Sequence, residues 1–356
     1  MHPAVPDRRR PRRGLPVKAV RTIPGGGIEV TDVPTPEPGP GQVLVRVAGA
    51  GVCHSDVVIG RAPDFYGEGR PFTLGHETAG HVAAVGPGVV GLDEGLPVVV
   101  HSEWGCGTCT TCRRGHERLC PEVAPVAGGG LGADGGMASH ILVPAARYVV
   151  PLGDLDPVTA GPLDDAALTP YHAVRNARDE LDGASVAVVI GAGGVGHMAI
   201  QILGAVSPAR IVVVEPDEGR RAFALELGAN LAVHPDDDAA GQVRGLRPSG
   251  ASLVLDLVGS DSTLAMAAAA VGPAGRVVLI GTKLGTFGFN LLSLPWETRL
   301  HTSYAGEPRE LEEVVALAQA GHITVHARTI GLDDVPEAIA ALDRGDHGTG
   351  RAIAVP

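Results

Sequence analysis

The sequence has few aromatic residues, few cysteines and no long hydrophobic segment. Phenylalanine, tryptophan and tyrosine make up 3% of the 356 residues, so large rings can line little of any binding pocket. No apolar run approaches the roughly 18 residues of a membrane-spanning helix, and we expect no membrane partner. The 28 lysines and arginines are outnumbered by 40 aspartates and glutamates, for a formal net charge of −12. This acidic balance argues against nucleic acid as a partner.

Only five cysteines are present, and four of them are clustered. Cys106, Cys109, Cys112 and Cys120 form the pattern C-x2-C-x2-C-x7-C, whereas Cys53 stands alone. An odd number clustered in this way favours metal thiolates in a reducing cytoplasm over disulfides. Four thiolates in one loop suit a tetrahedral zinc ion, and an iron–sulfur cluster is the alternative. Because four ligands complete the coordination shell, this site is expected to support structure.

Residues 7–13 form the one basic segment of the chain. No apolar stretch follows the segment, so it does not have the pattern of a secretory signal. We interpret it as a solvated tail, and a targeting or nucleic-acid-binding element is the alternative. The predicted location of the protein is therefore the cytoplasm.

The pattern of the chain changes near residue 162, which predicts two domains. The part before it consists of short alternating or apolar runs between glycine- and proline-rich turns, as in a mostly β domain. In the part after it, buried strands alternate with helical stretches, which predicts a parallel, doubly wound α/β sheet. The clearest predicted elements are strands at 42–47, 81–85, 97–100, 185–190 and 210–215 and a helix at 197–206.

The C-terminal part is expected to return to the first domain. It contains a predicted helix at 308–320, a polar link and a final strand at 351–355. We therefore assign residues 1–161 and 299–356 to the β-rich domain and residues 162–298 to the α/β domain.

A second candidate metal site begins with Cys53 and His76, which lie in the segments GVCHSD and GHE. A catalytic zinc site needs three protein ligands and one open position. Because the other cysteines are assigned to the four-cysteine cluster, the third ligand is expected to be His, Asp or Glu. Asp165 is our candidate, and Asp164 is its alternative.

Two carboxylates that follow these ligands have expected supporting roles. A metal-bound imidazole commonly donates its second N–H to a carboxylate, which orients the ring. Asp56 is the candidate for this role toward His76, and Glu77 is a further carboxylate near the metal. Ordinary surface charge is the alternative for both acids.

A glycine-rich turn follows the first predicted strand of the α/β domain. Gly191 permits a tight turn, Gly193 lets the backbone approach a pyrophosphate, and Gly196 lets the following helix pack against the strand. Gly194 and Val195 complete the turn before the helix N-terminus, which favours phosphate charge. A merely structural glycine turn is the alternative.

Glu215 ends the second strand of the same unit. A carboxylate at this position accepts hydrogen bonds from the ribose hydroxyls of a dinucleotide and repels a 2′-phosphate. The sequence therefore favours NAD over NADP as the coenzyme.

These sites resemble those of the zinc-dependent medium-chain dehydrogenase/reductase superfamily, the alcohol dehydrogenases, and look closest to bacterial NAD-dependent secondary-alcohol dehydrogenases. The resemblance extends from about residue 17 to residue 356. Asp165 stands where many relatives have a second cysteine, which points to a subfamily with an acidic ligand. The stretches that carry the resemblance are Gly51–Asp56, Thr73–Gly80, Trp104–Cys120, Pro162–His172, Val188–Gly196 and Gly350–Pro356.

The resemblance implies a GroES-like, mostly β catalytic domain and a Rossmann coenzyme domain, with the active site between them. It implies two zinc ions per chain, one catalytic and one structural, with NAD as the coenzyme. The implied reaction is reversible hydride transfer between a secondary alcohol and NAD. A homo-dimer or homo-tetramer is expected on the resemblance alone.

The resemblance also assigns roles around the substrate and the coenzyme. Ser55 is expected to contact the substrate oxygen and pass its proton, and His54 to extend this relay or contact the coenzyme. Many relatives end the relay with a histidine where this chain has Val58, so its proton route to solvent differs. Further residues expected at the coenzyme are Thr169, Arg220, Val258 and Arg351.

The expected substrate pocket has few large side chains. Val58 and Ala305 are small, and the candidate walls are Trp104, Tyr304 and Trp296. We therefore expect a roomy pocket that accepts bulky or aryl-substituted ketones. The alternatives are a polyol or primary-alcohol/aldehyde dehydrogenase of the same family and, outside enzymes, a catalytically silent NAD- and zinc-binding protein.

Overall fold

The computed structural model describes residues 16–123 and 128–356. The predicted basic segment at residues 7–13 lies outside the described residues. Within the described part, no helix is long and apolar enough to cross a bilayer. Two large sheets, each in its own domain, organise the chain.

The strands, numbered in chain order, are β1 (Pro16–Thr22), β2 (Ile28–Pro34), β3 (Val43–Val52), β4 (Glu77–Val85), β5 (Pro97–Val100), β6 (Gly128–Gly129), β7 (Gly132–Ala133), β8 (His140–Val143), β9 (Val149–Pro151), β10 (Val186–Ile190), β11 (Arg210–Val214), β12 (Leu231–Val233), β13 (Ala251–Asp256), β14 (Val271–Leu279), β15 (Arg299–Thr302), β16 (Ala327–Gly331) and β17 (Arg351–Val355).

The α-helices are α1 (His54–Arg61), α2 (Pro63–Gly67), α3 (Thr110–Arg113), α4 (Pro157–Ala160), α5 (Leu168–Arg175), α6 (Gly196–Val206), α7 (Glu218–Glu226), α8 (Ala239–Leu246), α9 (Asp261–Ala270), α10 (Pro308–Gln319) and α11 (Val335–Arg344). Short 3₁₀ helices span Glu117–Leu119, Ala146–Tyr148, Gly161–Leu163, Arg178–Glu180 and Leu332–Asp334.

The first domain is built on a seven-stranded sheet in the order β16-β17-β3-β4-β5-β9, with β8 also paired to β3. Its pairs are antiparallel except for β16 with β17. Val45, Val82 and Val98 belong to one apolar core beneath this sheet. The predicted mostly β domain is therefore present, and the predicted strands at 42–47, 81–85 and 97–100 lie within or close to β3, β4 and β5.

The second domain is a six-stranded, fully parallel sheet in the order β12-β11-β10-β13-β14-β15. Along β10, Val186, Val188 and Ile190 pack on one face, whereas Ala187 and Val189 pack on the other. Both faces are covered, which explains why this strand is apolar at every position. The predicted doubly wound fold is confirmed.

The C-terminal part differs in two respects from its prediction. Residues 299–302, assigned to the first domain, instead form β15, which pairs with β14 and completes the parallel sheet. The predicted polar link contains β16 and α11, and α11 buries Val335 and Ile339, four residues apart on one helical face. The final strand β17 does return to the first domain, where it pairs with β3. The other domain boundaries stay a proposal.

Candidate metal and coenzyme site

Three potential ligands converge where the two domains meet. Cys53 follows β3 and His76 precedes β4, and the pairing of Gly51 with Glu77 brings these two strand ends side by side. Asp165 comes from the segment that precedes α5. Its Oδ2 atom lies 3.3 Å from Cys53 Sγ and 3.5 Å from His76 Nε2.

Two further side chains orient this group. Asp56 Oδ1 lies 3.6 Å from His76 Nδ1, on the side of the ring opposite Asp165. Asp56 Oδ2 accepts a hydrogen bond from the backbone N–H of Cys53 (2.8 Å). The hydroxyl of Thr169 donates to Asp165 Oδ1 (3.0 Å), which leaves Oδ2 toward the cysteine and the histidine. The arrangement fits the orienting role predicted for Asp56, and it gives Thr169 a contact that the sequence had not indicated.

The ionisation of the group favours a bound cation. Burial disfavours the charged ring of His76, but hydrogen bonds to Asp165, Asp56 and Cys53 outweigh it and raise the pKa of His76 well above its ordinary value. Burial likewise disfavours ionised Asp165, but His76 and Arg351 hold its pKa well below the usual range. The carboxylate is therefore ionised, and a metal would take the place of the proton on His76.

Asp164, the alternative third ligand, is directed elsewhere. Its Oδ2 accepts a hydrogen bond from the backbone N–H of Ser102 (3.0 Å). Its ligand atoms group with those of His101 and Glu103, whereas Asp165 groups with Cys53 and His76. The geometry therefore favours Asp165.

Glu77 and Arg351 lie directly against the same group. Glu77 is fully buried, and its carboxylate lies near the potential ligands. Both of its oxygens accept hydrogen bonds from the guanidinium of Arg351, which also lies 3.4 Å from Asp165 Oδ2. A Cβ atom added to Gly194 would clash with Arg351. Arg351 thus contacts the glycine turn, as expected for a residue near the pyrophosphate, but its ion-pair partner is Glu77.

The residues expected in the proton relay lie beside Cys53. Ser55 Oγ is 3.6 Å from Cys53 Sγ. His54 is partly buried, and burial together with the positive charge of Lys283 lowers its pKa. Val58 lies in the same short helix, α1. Helix α1 therefore carries all three residues and begins directly after Cys53.

The four-cysteine cluster is brought together by the loop around α3. Sulfur–sulfur distances are 3.5 Å for Cys109 with Cys112, and 3.8 Å for both Cys106 with Cys112 and Cys109 with Cys120. No disulfide joins them. The hydroxyl and backbone N–H of Thr108 lower the pKa of Cys106 to about 6. Four thiols at these distances suit a single tetrahedral metal ion.

The glycine turn has the backbone geometry that its sequence predicts. Gly191 follows β10 with φ of +94°, a conformation that favours glycine. A Cβ atom added to Gly196 would clash with the carbonyl of Gly191. Val195 immediately precedes α6, and a Cβ atom added to Gly193 would only come into ordinary contact with His347, at 3.5 Å. The turn therefore presents its backbone and the N-terminus of α6 at the end of the strand, as dinucleotide binding requires.

Glu215 lies buried beside this turn at the end of β11. Its Oε2 accepts the backbone N–H of Ala192 (2.8 Å), and its Oε1 accepts two hydrogen bonds from Arg220 (3.0 and 2.8 Å). Arg220, expected near the adenosine, is thus paired with the acid that is expected to bind the ribose. The backbone N–H of Val258 donates to Asp256 Oδ1, and its carbonyl accepts the backbone N–H of Lys283 (3.1 Å), so one lone pair of that carbonyl remains for a coenzyme.

The candidate pocket residues occupy different environments. Ala305 is buried, and Val58 is partly buried. Trp104 packs against the first-domain core, and its Nε1–H donates to the carbonyl of His101. Trp296 is exposed, whereas Tyr304 is 39% exposed and directs its hydroxyl toward Glu103. Their part in substrate binding stays a proposal.

The sequence reasoning missed a second buried polar group beside the first. His101 and Glu103 directly follow β5, and with Asp164 they place three potential ligand atoms within 4.8 Å of one another. Burial and the nearby charge of Asp165 raise the pKa of Glu103 to about 7. The signal was present as His-Ser-Glu at the end of an apolar strand, where side chains of a site are often found.

Zinc and a dinucleotide both fit the residues that the structure brings together. A thiolate, an imidazole and a carboxylate form a borderline-soft donor set with three members, which suits a zinc ion that keeps one open position. The glycine turn, the N-terminus of α6 and Glu215 together form a site for a dinucleotide. Residues other than glycine in the turn would place side chains in this site.

Two family models match the chain. Residues 39–154 match the alcohol dehydrogenase GroES-like domain, and residues 194–320 match the zinc-binding dehydrogenase domain. An NAD-dependent alcohol dehydrogenase of Sulfurisphaera tokodaii is 34% identical over 96% of this chain and 100% of its own length. The chain belongs to the zinc-dependent alcohol dehydrogenase family.

Solved structures of the family have the same fold. An alcohol dehydrogenase from the hyperthermophilic archaeon Aeropyrum pernix has a TM-score of 0.87 and 32% identity, covering 95% of this chain and 100% of its own. The acetophenone reductase of Geotrichum candidum in complex with NAD has a TM-score of 0.83 and 30% identity, covering 96% and 97%. The similar S. tokodaii and A. pernix proteins are archaeal, so the expected closeness to bacterial secondary-alcohol dehydrogenases is not supported.

Membership establishes the class of this protein. It is an oxidoreductase with a GroES-like domain and a Rossmann domain, and zinc and NAD are the cofactors that the membership supports.

Proposed function

We propose that the chain catalyses reversible hydride transfer between a secondary alcohol and NAD at the group formed by Cys53, His76 and Asp165. The observation that carries this proposal is the convergence of a thiol, an imidazole and an ionised carboxylate beside a dinucleotide turn. Zinc held by these three side chains would supply Lewis acidity toward the substrate oxygen, and NAD would accept or donate the hydride.

The proton of the alcohol is passed by residues of α1. Ser55 Oγ lies beside the group and can take a proton from a substrate hydroxyl bound there. His54 has a lowered pKa and is neutral near pH 7, so it can accept that proton in turn. Because Val58 cannot continue the relay, His54 is the proposed last protein group before solvent. Closure of the domains would exclude water from the reacting atoms.

The remaining proposed site residues hold these groups in position. Asp56 orients His76, and Thr169 orients Asp165 while packing next to the coenzyme. Glu77 and Arg351 neutralise each other against the metal group and the glycine turn. The four-cysteine cluster holds the second, structural zinc ion.

The proposed preference for NAD over NADP rests on Glu215. Its carboxylate already binds Ala192 of the turn, so it lies where the adenosine ribose would be bound. It also neutralises Arg220, a cation that could otherwise pair with a 2′-phosphate. Gly191, Gly193, Gly194, Val195, Gly196, Val258 and Arg351 complete the proposed coenzyme site.

The proposed substrate is a bulky or aryl-substituted secondary alcohol or its ketone. Small Val58 and Ala305 leave room, and Trp104 and Tyr304 offer aromatic surface. Similarity to an acetophenone reductase supports this choice. A polyol or a primary alcohol is the alternative, and a panel of aryl ketones, small ketones, polyols and aldehydes with both coenzymes distinguishes them.

A homo-oligomer in a reducing compartment completes the proposal. Leu284, Phe289, Leu291, Leu292 and Trp296 are exposed near the edge strand β15, as in a surface covered by a partner. The five free cysteines suit a reducing cytoplasm. Size-exclusion chromatography with light scattering measures the subunit number.

The test is NADH formation from a secondary alcohol by Cys53→Ser, His76→Ala and Ser55→Ala variants. The first two are expected to lose the catalytic zinc and almost all turnover, and Ser55→Ala to lose on the order of 10²-fold or more. Exposed Ser262→Ala serves as the matched control and should retain turnover. Near-normal turnover by Cys53→Ser would refute zinc-centred chemistry, and a wild type inactive with every alcohol would favour the silent-protein alternative.

A further inference from the structure

The buried group of His101, Glu103 and Asp164 is separate from both metal groups described above. His101 and Asp164 are fully buried, and Glu103 is 4% exposed. Two of the side chains follow β5 and the third precedes α5, so different segments bring them together. Potential ligand atoms of all three lie within 4.8 Å of one another.

Several oxygens of this group lack a well-formed hydrogen bond. Glu103 Oε2, Asp164 Oδ1 and Ser102 Oγ are buried and make no well-formed hydrogen bond among the described residues, although the Ser102 hydroxyl lies near both carboxylates and the Tyr304 hydroxyl lies near Glu103. Buried polar atoms in native proteins are nearly always paired, so orphaned acceptors on two neighbouring carboxylates call for a ligand between them.

The ring of His101 adds a further acceptor. Its Nδ1 lies 3.1 Å from the carbonyl of Glu103, and its Nε2 lies 3.1 Å from the carbonyl of Gly306. A neutral imidazole has a single N–H, so only one of these contacts is a hydrogen bond. With Nδ1–H donating to Glu103, the lone pair of Nε2 faces the Gly306 carbonyl oxygen and Glu103 Oε2, which is 3.7 Å away. In this tautomer the Nε2 lone pair and both oxygens are close enough to bind one ion.

The charges of this group also favour a bound cation. In the described part of the chain, neither Glu103 nor Asp164 forms an ion pair with a lysine or arginine, whereas buried Glu77 pairs with Arg351. Two ionised carboxylates buried without a cation are strongly unfavourable, so these groups are neutralised either by protons or by a bound ion. A divalent cation would neutralise both.

We propose that His101 Nε2, Glu103, Asp164 and the carbonyl of Gly306 bind a third metal ion, a divalent cation of the first transition row. The spacings of 3.1 and 3.7 Å from Nε2 to the two oxygens suit neighbouring ligands on one ion, given metal–ligand bonds of roughly 2.0–2.2 Å. One imidazole with oxygen ligands, and no sulfur, suits Mn²⁺ or Zn²⁺.

The ion would link the two domains. His101 and Glu103 follow a strand of the first domain, and Gly306 follows the last strand of the second. It would also compensate the charge of Asp164 next to Asp165. The proposal depends on this group alone and not on the proposed reaction.

The test counts metal ions per chain. Purified protein is loaded with Zn²⁺, equilibrated with Mn²⁺, freed of excess metal and analysed by plasma mass spectrometry. Because thiolates prefer zinc, the two cysteine-containing sites should keep Zn²⁺ and the oxygen-rich site should take either ion. We expect the total for Glu103→Gln to be one ion per chain below that of wild type. Asp256→Asn removes the charge of another buried carboxylate with an unpaired oxygen and should keep the wild-type total.

Cys53→Ser separates this proposal from the proposed function. It should lose the ion of the catalytic group and retain the one bound by Glu103. Equal totals in Glu103→Gln and wild type would overturn the third site, whether or not the enzyme is active. If Glu103→Gln does not fold, the metal content of the wild type tests the proposal instead. One bound Mn²⁺ with a single imidazole nitrogen coupling in its pulsed EPR spectrum, or a third Zn²⁺ per chain, supports the site, and two ions in total overturn it.

Discussion

Arg351 and Glu77 form a buried ion pair through two hydrogen bonds, although 274 residues separate them in the sequence. Arg351 Nε lies 2.8 Å from Glu77 Oε2, and the two side chains are 4% and 0% exposed. The pair joins the last strand to the strand that follows His76. It thereby fixes the C-terminus of the chain against both the proposed zinc ligands and the glycine turn.

Removing one partner of this pair should be costly. Arg351→Met leaves the Glu77 carboxylate buried without its cation, and we expect it to lower the free energy of unfolding by about 3–5 kcal/mol. The double variant Arg351→Met/Glu77→Gln should cost less than the sum of the single variants, because neither charge is left alone. Urea unfolding measures all three. Arg344→Met, which breaks an exposed pair with Glu337, should change stability by at most about 1 kcal/mol. If the double variant lost as much unfolding free energy as the two single variants together, the account would be contradicted.

The four-cysteine cluster should couple metal content to stability. Cys112→Ser removes one of four thiolate ligands, so we expect the loss of one zinc ion per chain and a drop of several kcal/mol in unfolding free energy. Metal analysis and thermal melting measure the two effects on the same sample. Thr108→Val, which removes only a hydroxyl contact to Cys106, should keep the zinc. Full zinc content in Cys112→Ser would show that this cysteine is not a ligand.

Coenzyme choice should depend on the charge of Glu215. In Glu215→Gln, the 2′-phosphate of NADP no longer meets a carboxylate, and Arg220 loses the anion that neutralises it. We expect kcat/KM to fall for NAD and to rise for NADP, shifting their ratio by about tenfold or more. The exposed neighbour Glu218 provides the control Glu218→Gln, which should leave the ratio unchanged. An unaltered ratio in Glu215→Gln would remove the argument for NAD selectivity.

Stability in acid should depend on Glu310, which accepts hydrogen bonds from His172 Nδ1 and Arg175 Nη1, both at 2.8 Å. Burial raises its pKa, but these bonds outweigh burial and lower the pKa from 4.5 to about 2. Because the folded state favours ionised Glu310, this group contributes its full stabilisation above pH 4.5. The contribution is lost progressively as the pH falls toward 2. Glu310→Gln should therefore cost about 3 kcal/mol at pH 7 and much less near pH 3.

The comparison of wild type and variant by urea unfolding at several pH values checks this trend, because loss of zinc in acid affects both proteins alike. Exposed Glu312→Gln on the same helix should show no such dependence. A constant difference between Glu310→Gln and wild type from pH 7 to pH 3 would contradict it.

The sequence predicted those features that depend on local pattern. Strand β10 is apolar throughout because both faces are covered, and the spacing of Gly191 and Gly196 follows from a strand that turns directly into a helix. The four cysteines lie in one loop, so their proximity needed no knowledge of the fold. Cys53, His76 and Asp165 come from three segments, and only motif context suggested that they meet.

Contacts between residues far apart in the sequence could not be predicted, because local pattern does not indicate them. Nothing near Glu77 in the sequence indicates Arg351, and nothing near Asp164 indicates His101. Strand β15 was assigned to the wrong domain because its residues carry little apolar signal at the exposed edge of the sheet. These contacts follow from the order of strands, which single-residue patterns do not encode.

The central claim is that one zinc ion is bound by Cys53, His76 and Asp165. Anomalous diffraction at the zinc edge, from crystals of the zinc-loaded protein, tests it most directly. We expect a peak at roughly 2.3 Å from Cys53 Sγ and 2.0–2.2 Å from His76 Nε2 and an Asp165 carboxylate oxygen. No peak at this position, or a zinc ion there that is bound by Asp164 while Asp165 points away, would contradict the account.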